Sequence, residues 1–236
     1  STATSQAVTG LTNGTAYVFR VAAVNARGTG AYTAQTSPVV PMTVPGVPRS
    51  LAASIGNGQV GLTWAAPASS GGSVVTDYVV QWSDNGGTSW TTVSRAASAT
   101  PSQLVTGLTN GTAYVFRVAA VNAVGVGVST AQTSPVVPAT TPDAPVALAA
   151  VSGNALVTLS WAAPEWNGGS AITNYAVQYS VNGGTSWVTV SRAASTATSQ
   201  AVTGLTNGTA YVFRVAAVNA RGTGAYTAQT SPVVPM

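Results

Sequence analysis

Apolar and polar residues alternate with a period of two along short stretches of this chain. Val60, Leu62 and Trp64 are separated by polar or small residues, and the same alternation continues through residues 78–82 until it stops at Asn85-Gly86-Gly87. Successive side chains of a β-strand point to opposite faces, so each run predicts a strand with one buried face. An Asn-Gly pair after such a run is typical of a hairpin turn.

Further runs of the same kind follow at close spacing. We expect strands at Trp90–Val93, Leu104–Leu108 and Thr112–Asn122, and a final strand near Ser129–Val137. Asn110-Gly111 separates the middle two runs, and apolar residues do not recur with a helical period over any comparable length. Many short strands divided by Gly, Pro and Asn predict an all-β sandwich.

The chain also repeats itself. Residues 1–42 recur without a change at residues 195–236, and residues 43–139 align with residues 140–236 without a gap, which gives a 97-residue repeat. A fixed period of this length is the mark of tandem structural units. We therefore predict two complete units, preceded by a segment that holds only the last strands of a third.

This leading segment, residues 1–42, is below the size at which a domain usually folds without disulfides or metal ions. Two explanations remain open at the level of sequence. The given residues are a window on a longer tandem array, which the matching phase of the repeat favours. Alternatively, a neighbouring molecule completes the half domain by adding strands to it.

The motifs that carry these strands resemble the fibronectin type III family, in particular the arrays of bacterial secreted and surface proteins. The resemblance covers nearly the whole chain and implies tandem immunoglobulin-like β-sandwiches, while the fold says little about function. The residues that carry it are Trp64, Tyr78, Val80, Leu108 to Val118 and, in the second unit, Trp161, Tyr175, Val177, Leu205, Tyr211 and Phe213, with Leu11, Tyr17 and Phe19 in the leading segment.

By this resemblance, several aromatic residues have structural roles. Tyr17, Tyr114 and Tyr211 would be corner tyrosines, whose hydroxyl groups bond to the backbone a few residues upstream. Large aromatic side chains would fill the centre of each sandwich. The expected core residues are Trp64, Tyr78, Tyr114, Phe116, Trp161, Tyr175, Tyr211 and Phe213.

The amino-acid composition argues against several classes of function. Only 5% of the residues are charged, all eight cations are Arg, and Cys, His and Lys are absent. Imidazole, thiolate and amine groups are the usual bases, nucleophiles and metal ligands, so we expect no enzyme activity, no catalytic residue, no metal site and no cofactor. A net charge of +4 spread over the chain also argues against nucleic-acid binding, and no apolar run is long enough for membrane insertion.

Several short motifs have both a chemical and a structural interpretation, and we favour the structural one in each case. Arg27-Gly28-Thr29-Gly30 lies where an integrin-binding loop would be, but it lacks the carboxylate. Asn110-Gly111-Thr112 fits an N-glycosylation site and equally a tight turn. Gly168-Gly169 follows a Pro rather than opening a helix, which argues against a phosphate site. The counterpart of Asp84 in the second unit is Val181, which argues against a calcium site.

The outward face of the longest strand is unusually apolar. If Phe116 and its alternate neighbours point inward, the opposite face carries Val and Ala around one Arg. Long side chains of the same domain would cover this face, or it would pack against another domain or chain. The candidate self-association residues are Val115, Arg117, Ala119, Val121, Val212, Arg214, Ala216 and Val218, together with Trp166, which replaces a Ser in the first unit.

These patterns favour a structural repeat array of an extracellular bacterial fibre, sheath, surface layer or stalk. Such an array acts by rigid spacing and self-association, so its partners are further copies of itself, in the same chain or in neighbouring chains. The alternative is an adhesin or carbohydrate-associated spacer that presents loops or a distal domain to glycans or a host surface. In that case Trp82, Trp90, Trp166 or Trp187 would contact the sugar. We expect a location outside the cell or on its surface.

Overall fold

The computed structural model describes residues 2–236 and consists of strands, turns and extended segments. The prediction of an all-β fold is confirmed. Within the described residues, no helix has the length and apolar character needed to cross a lipid bilayer.

The leading segment forms only a small part of a sheet. Its two short strands, β1 (Val24–Asn25) and β2 (Gly28–Thr29), pair as an antiparallel hairpin. Tyr17 and Val39 form one further isolated bridge. Nearly every side chain of this segment is exposed or half-buried, because residues 2–42 contain no opposing sheet that would cover the apolar ones.

Residues 43–139 contain two antiparallel sheets of three strands. Sheet order is β3-β4-β7 in one layer and β6-β5-β8 in the other, so each sheet includes strands that are distant in sequence. The strands are β3 (Arg49–Gly56), β4 (Gln59–Ala65), β5 (Asp77–Ser83), β6 (Thr91–Thr92), β7 (Ser102–Thr106) and β8 (Val115–Val121).

The alternation of β4 explains how the two layers join. Val60, Leu62 and Trp64 are all buried, and the ring of Trp64 meets that of Tyr78 on β5 edge to face, with 5.1 Å between ring centroids. Edge-to-face contact is the favoured geometry of aromatic pairs. The predicted inward face of this strand is therefore the face that closes the sandwich.

Residues 140–236 repeat the arrangement with one more strand. Sheet order is β13-β10-β9 in one layer and β12-β11-β14-β15 in the other. The strands are β9 (Val146–Gly153), β10 (Leu156–Ala162), β11 (Ile172–Ser180), β12 (Val188–Thr189), β13 (Ser199–Thr203), β14 (Val212–Asn219) and β15 (Gly222–Tyr226).

The core of this second domain lies between its two sheets. Trp161 and Tyr175 meet with 5.3 Å between ring centroids, and Val157, Leu159 and Phe213 are fully enclosed around them. The corresponding aromatic residues of the first domain are buried in the same way. All eight residues expected in the core are buried: Trp64, Tyr78, Tyr114, Phe116, Trp161, Tyr175, Tyr211 and Phe213.

The predicted final strand at Ser129–Val137 is not a regular strand. Thr130 and Thr133 donate their N–H groups to the carbonyls of Val118 and Phe116, so three residues on one side span two on the other. The Thr130 and Thr133 hydroxyl oxygens accept the N–H groups of the same two residues. Because side-chain oxygens replace backbone carbonyls as acceptors, this segment follows β8 without forming a ladder with it.

Candidate functional site

The outward face of β8 is largely buried, which fits the first of the two alternatives left open by the sequence, coverage by side chains of the same domain. Val115 and Ala119 are buried, at 3% and 2% exposure, while Arg117 and Val121 are half-buried. The second domain is the same: Val212 and Ala216 are buried, and Arg214 and Val218 are half-buried. Four of the eight candidate self-association residues are therefore covered within their own domain, and the candidate face stays a prediction for Arg117, Val121, Arg214 and Val218.

Long side chains of the same domain cover this face. The Arg117 guanidinium lies 4.1 Å from the centre of the Trp90 ring, and its Nε donates to Gln81 Oε1 at 2.8 Å. Arg214 makes the equivalent contact with Trp187 at 4.0 Å and also lies 4.3 Å from the Tyr226 ring. A guanidinium stacks well on an aromatic face while its methylene stem covers apolar surface. The Arg117 and Arg214 side chains thus cover part of the apolar face of β8 and of β14.

The tryptophans proposed to contact glycans are mostly engaged in these packing contacts. Trp82 is half-buried and meets Tyr114 edge to face, with 5.5 Å between ring centroids. Trp90 and Trp187 lie beneath Arg side chains, and Trp166 is 42% exposed. An Arg side chain occupies one face of the Trp90 ring and one face of the Trp187 ring, which reduces the aromatic surface that either residue offers to a sugar.

Two buried asparagines fix the linker segments, residues 43–48 before β3 and 140–145 before β9, to their own domains. The side-chain amide of Asn122, only 4% exposed, donates to the carbonyls of Thr43 and Ser70, both at 2.8 Å. Asn219 makes the equivalent bonds to Thr140 and Asn167, also at 2.8 Å. Sequence reasoning missed this role, although the repeated Val-Asn-Ala after each long strand marks the position.

The turns at Gly71-Gly72 and Gly168-Gly169 lie against the same linker segments. Thr140 N–H donates to Gly168 O at 2.8 Å, and Thr43 N–H donates to Gly71 O at the same distance. Gly168 has a φ of +78°, and a Cβ placed there would collide with the Thr140 carbonyl oxygen. Only Gly combines this backbone conformation with so close an approach. These turns therefore anchor the linker rather than bind phosphate.

The Asn-Gly-Thr turns also have a structural role. Asn207 Oδ1 accepts the N–H of Ala155 at 2.8 Å, and its amide donates to Asn154 Oδ1 at 2.9 Å. Asn110 bonds in the same way to Gly58 and Asn57. A glycan on the side-chain nitrogen would disturb these bonds, which favours the turn interpretation over glycosylation.

The corner tyrosines bond upstream as the resemblance implies. Thr206 N–H donates to the Tyr211 hydroxyl at 3.0 Å, and Thr12 N–H donates to the Tyr17 hydroxyl at 2.9 Å. The hydrogen bond from the Thr12 backbone lowers the pKa of Tyr17, since it stabilises the phenolate. The leading segment therefore keeps the local geometry of a complete domain at this corner.

The remaining motifs form ordinary turns. Asn219 Oδ1 accepts the N–H of Arg221, and Asn25 accepts that of Arg27, which shapes the Arg-Gly-Thr loops. Asn85, rather than the exposed Asp84, organises the turn after β5 through bonds to Ser83 and Ser89. Among residues 2–236, no three or more His, Cys, Asp or Glu residues lie together as a metal site would require.

Comparison with known proteins agrees with this architecture. Residues 46–136 and 141–233 each match the family model described as the fibronectin type III domain. The solved structure of titin domains A168–A170 superposes with a TM-score of 0.52 at 22% identity, over 93% of this chain and 74% of that one. At this identity the likeness supports the fold alone.

Similar proteins come from animals. Human myomesin-2 is 33% identical over 96% of this chain, and the titin homolog of Caenorhabditis elegans is 33% identical over 98%. The chain spans only 16% and 1% of these two proteins, respectively. The fold family predicted from the motifs is confirmed, but these relatives give no support for its bacterial secreted type.

Proposed function

We propose, from the premise that this chain belongs to the fibronectin type III family, that it is a structural repeat module without enzymatic activity. Its two complete domains hold the parts of a longer assembly at a fixed spacing, and further copies of the chain are its partners. Its mechanism is mechanical: each closed sandwich resists unfolding, and each linker segment is bonded to the domain that follows it.

The observation that carries this proposal is the attachment of the linker segments. Asn122 bonds to Thr43 and Ser70, and Asn219 bonds to Thr140 and Asn167, with the same atoms at the same distances. Buried side-chain amides with both donors satisfied are costly to displace. A module that transmits load benefits from such a bond, because it keeps the first residues of a domain attached to the end of β8 or β14.

An extracellular or surface location is part of the proposal and rests on composition. The chain has no Cys to oxidise and only 12 charged side chains, eight basic and four acidic. A surface with so few charges has little long-range repulsion and depends little on salt or pH. A bacterial fibre or stalk is one setting in which such a surface is useful. Glycan binding has less support, because Trp90 and Trp187 are covered by Arg side chains.

Pulling on the two ends of residues 1–236 tests the spacer function. We expect two unfolding events that each lengthen the chain by about 300 Å, because a 97-residue repeat reaches about 340 Å at about 3.5 Å per residue and the end-to-end length of the folded domain is subtracted from this. Residues 1–42 should extend without a third event. Gradual extension without discrete steps would contradict the proposal, since a domain that yields continuously cannot hold a fixed spacing.

A further inference from the structure

Seven Asn residues of this chain are followed directly by Gly. In such a pair the Gly backbone nitrogen can attack the side-chain amide of the Asn, because Gly has no Cβ to hinder the approach. In a folded chain this needs an attacking N–H group that no acceptor holds and a side-chain amide that can turn toward it. The seven pairs begin at Asn13, Asn57, Asn85, Asn110, Asn167, Asn182 and Asn207.

In four of the pairs, an acceptor already holds the Gly N–H group. Gly14 donates to Pro41 O, Gly111 to Pro138 O, Gly208 to Pro235 O and Gly58 to Asn110 Oδ1, at distances of 2.8–3.1 Å. The attacking nitrogen must lose its proton, and a hydrogen bond to an acceptor favours the protonated form. The fold therefore protects these four pairs.

In two further pairs, the side-chain amide is held instead. Asn182 Oδ1 accepts the Ser180 hydroxyl at 2.7 Å and the Ser186 N–H at 2.9 Å, and its Nδ2 donates to Ser186 Oγ at 2.8 Å. Asn85 makes the same three bonds in the first domain. Turning either amide toward the following Gly would break all three bonds, so attack is slow at these two residues.

The Asn167-Gly168 pair lacks both kinds of protection. No residue from 2 to 236 accepts the N–H group of Gly168. The Asn167 side chain is exposed, and one bond holds it, from Gly169 N–H to its Oδ1 at 2.9 Å. The attacking nitrogen is therefore free, and the amide can turn after the loss of a single hydrogen bond.

The first domain shows why this nitrogen is free. The equivalent residues there are Ser69, Ser70 and Gly71, and Ser69 Oγ accepts the Gly71 N–H at 3.1 Å. Trp166 takes the place of Ser69 in the second domain, and an indole has no oxygen that could accept the bond. One replacement thus supplies the reactive amide, and its neighbour removes the acceptor that would hold the attacking nitrogen.

We propose that Asn167 is a deamidation site of the folded chain. The Gly168 nitrogen loses its proton and forms a bond to Asn167 Cγ, while the bond from Cγ to Nδ2 breaks and Nδ2 leaves with that proton as ammonia. Solvent water then opens the resulting cyclic imide. Cleavage of the bond from Cγ to the Gly168 nitrogen gives aspartate, and cleavage of the bond from the main-chain carbonyl carbon gives isoaspartate.

The isoaspartate product would alter the attachment of the linker segment in the second domain. Asn167 O accepts the Asn219 amide at 2.8 Å, and Gly168 O accepts the Thr140 N–H at the same distance. Isoaspartate routes the main chain through the side chain, which adds a methylene group between these two bonds. Both bonds cannot then keep their geometry. Deamidation should therefore weaken the attachment of residues 140–145, whereas the spacing function proposed above does not depend on it.

Peptide mapping by mass spectrometry tests the proposal on the full chain during incubation in mildly alkaline buffer. We expect Asn167 to convert about ten times faster than each of the other six Asn residues that precede Gly. Incubation in concentrated urea is the control, since all seven pairs are then unprotected and should convert at similar rates. A rate at Asn167 no higher than at another pair of the folded chain would overturn the proposal. The same preference for Asn167 in urea would also overturn it, because local sequence would then be the cause.

Substitutions in the two equivalent turns test the role of the free nitrogen. Trp166→Ser supplies the acceptor found in the first domain, and we expect it to slow conversion of Asn167 about five-fold. Ser70→Asn creates a new pair with Gly71, whose N–H group Ser69 still accepts, so residue 70 should react as slowly as the protected pairs. An unchanged rate at Asn167 in Trp166→Ser would overturn the proposal, as would conversion of residue 70 at the rate of Asn167.

Discussion

At the residue scale, one difference between the two repeats concerns a buried charge. Arg95 Nη2 forms an ion pair with Asp77 Oδ1 at 2.7 Å in the first domain. The corresponding positions of the second domain are Arg192 and Asn174. Nε and Nη1 of Arg192 are buried without a hydrogen-bond partner among the described residues. A guanidinium without its carboxylate costs stability when it is removed from water.

Restoring the carboxylate should stabilise the second domain. We expect Asn174→Asp to raise its free energy of unfolding by about 1–2 kcal/mol, since the pair of the first domain is only partly exposed to solvent. Calorimetry of the full chain would measure this as a rise of several degrees in one transition. The matched control Asp77→Asn should lower the transition of the first domain. A lower transition temperature of the second domain in Asn174→Asp would contradict the expected ion pair with Arg192.

Burial of Tyr175 predicts a loss of stability in alkaline solution. Desolvation raises the pKa of this phenol above its ordinary value of 10.0, while the unfolded chain keeps that value. Above about pH 10 the unfolded state loses this proton first and binds fewer protons than the folded state. The free energy of unfolding therefore falls as pH rises above about 10, and this group does not reduce it at lower pH.

Urea denaturation of the wild type and of Tyr175→Phe between about pH 8 and pH 11 checks this effect. The variant should lose less stability than the wild type over the alkaline part of the range, because it has no proton to lose at this position. Parallel pH profiles for the two proteins would contradict a raised pKa at Tyr175.

At the element scale, the sequence predicted the strands that bury large side chains on one face. Val60, Leu62 and Trp64 alternate strictly, and the strand they form closes the sandwich. The first strand of each domain was missed, because β3 and β9 contain mostly Ala, Ser and Leu and are half-exposed. Their position depends on hydrogen bonds to a neighbouring strand, which alternation alone does not indicate.

Alternation left open what covers the outward face of β8, for a related reason. Alternation correctly placed Val115 and Arg117 on the outward side of β8, but it carried no information about what lies above them. Trp90 comes from another part of the chain and stacks with Arg117 at 4.1 Å. Contacts between distant residues of this kind follow from the fold rather than from the local pattern. The buried roles of Asn122 and Asn219 were missed in the same way.

Substitutions of Gly test how the linker segment is anchored. Gly168→Ala places a Cβ against the Thr140 carbonyl oxygen at a φ of +78°, whereas Gly183→Ala has a similar φ of +68° and open space around it. We expect about 1–2 kcal/mol of destabilisation for the control, from backbone strain alone. Gly168→Ala should cost clearly more in urea denaturation. Equal destabilisation by the two substitutions would mean that the close approach of Gly168 to the Thr140 carbonyl does not contribute to stability.

At the scale of the whole molecule, the repeat could be predicted from the sequence, whereas the burial of its residues could not. The period of 97 residues defined two complete domains and a leading segment, and residues 46–136 and 141–233 match the family. Val21 is nevertheless 69% exposed, while Val215, in the same local sequence, is completely buried. Burial depends on which other strands are present, so a local sequence fixes its own hairpins and corner bonds but not its cover.

The labelling rates of Val21→Cys and Val215→Cys, each in the otherwise Cys-free chain, test this account most directly. The two sites lie in identical local sequences, so their intrinsic reactivities are the same. In dilute solution we predict that the first thiol reacts at nearly the rate of an unfolded chain, while the second reacts at least a hundred times more slowly. Equal rates would contradict the account, because residues 1–42 would then be covered as completely as residues 195–236.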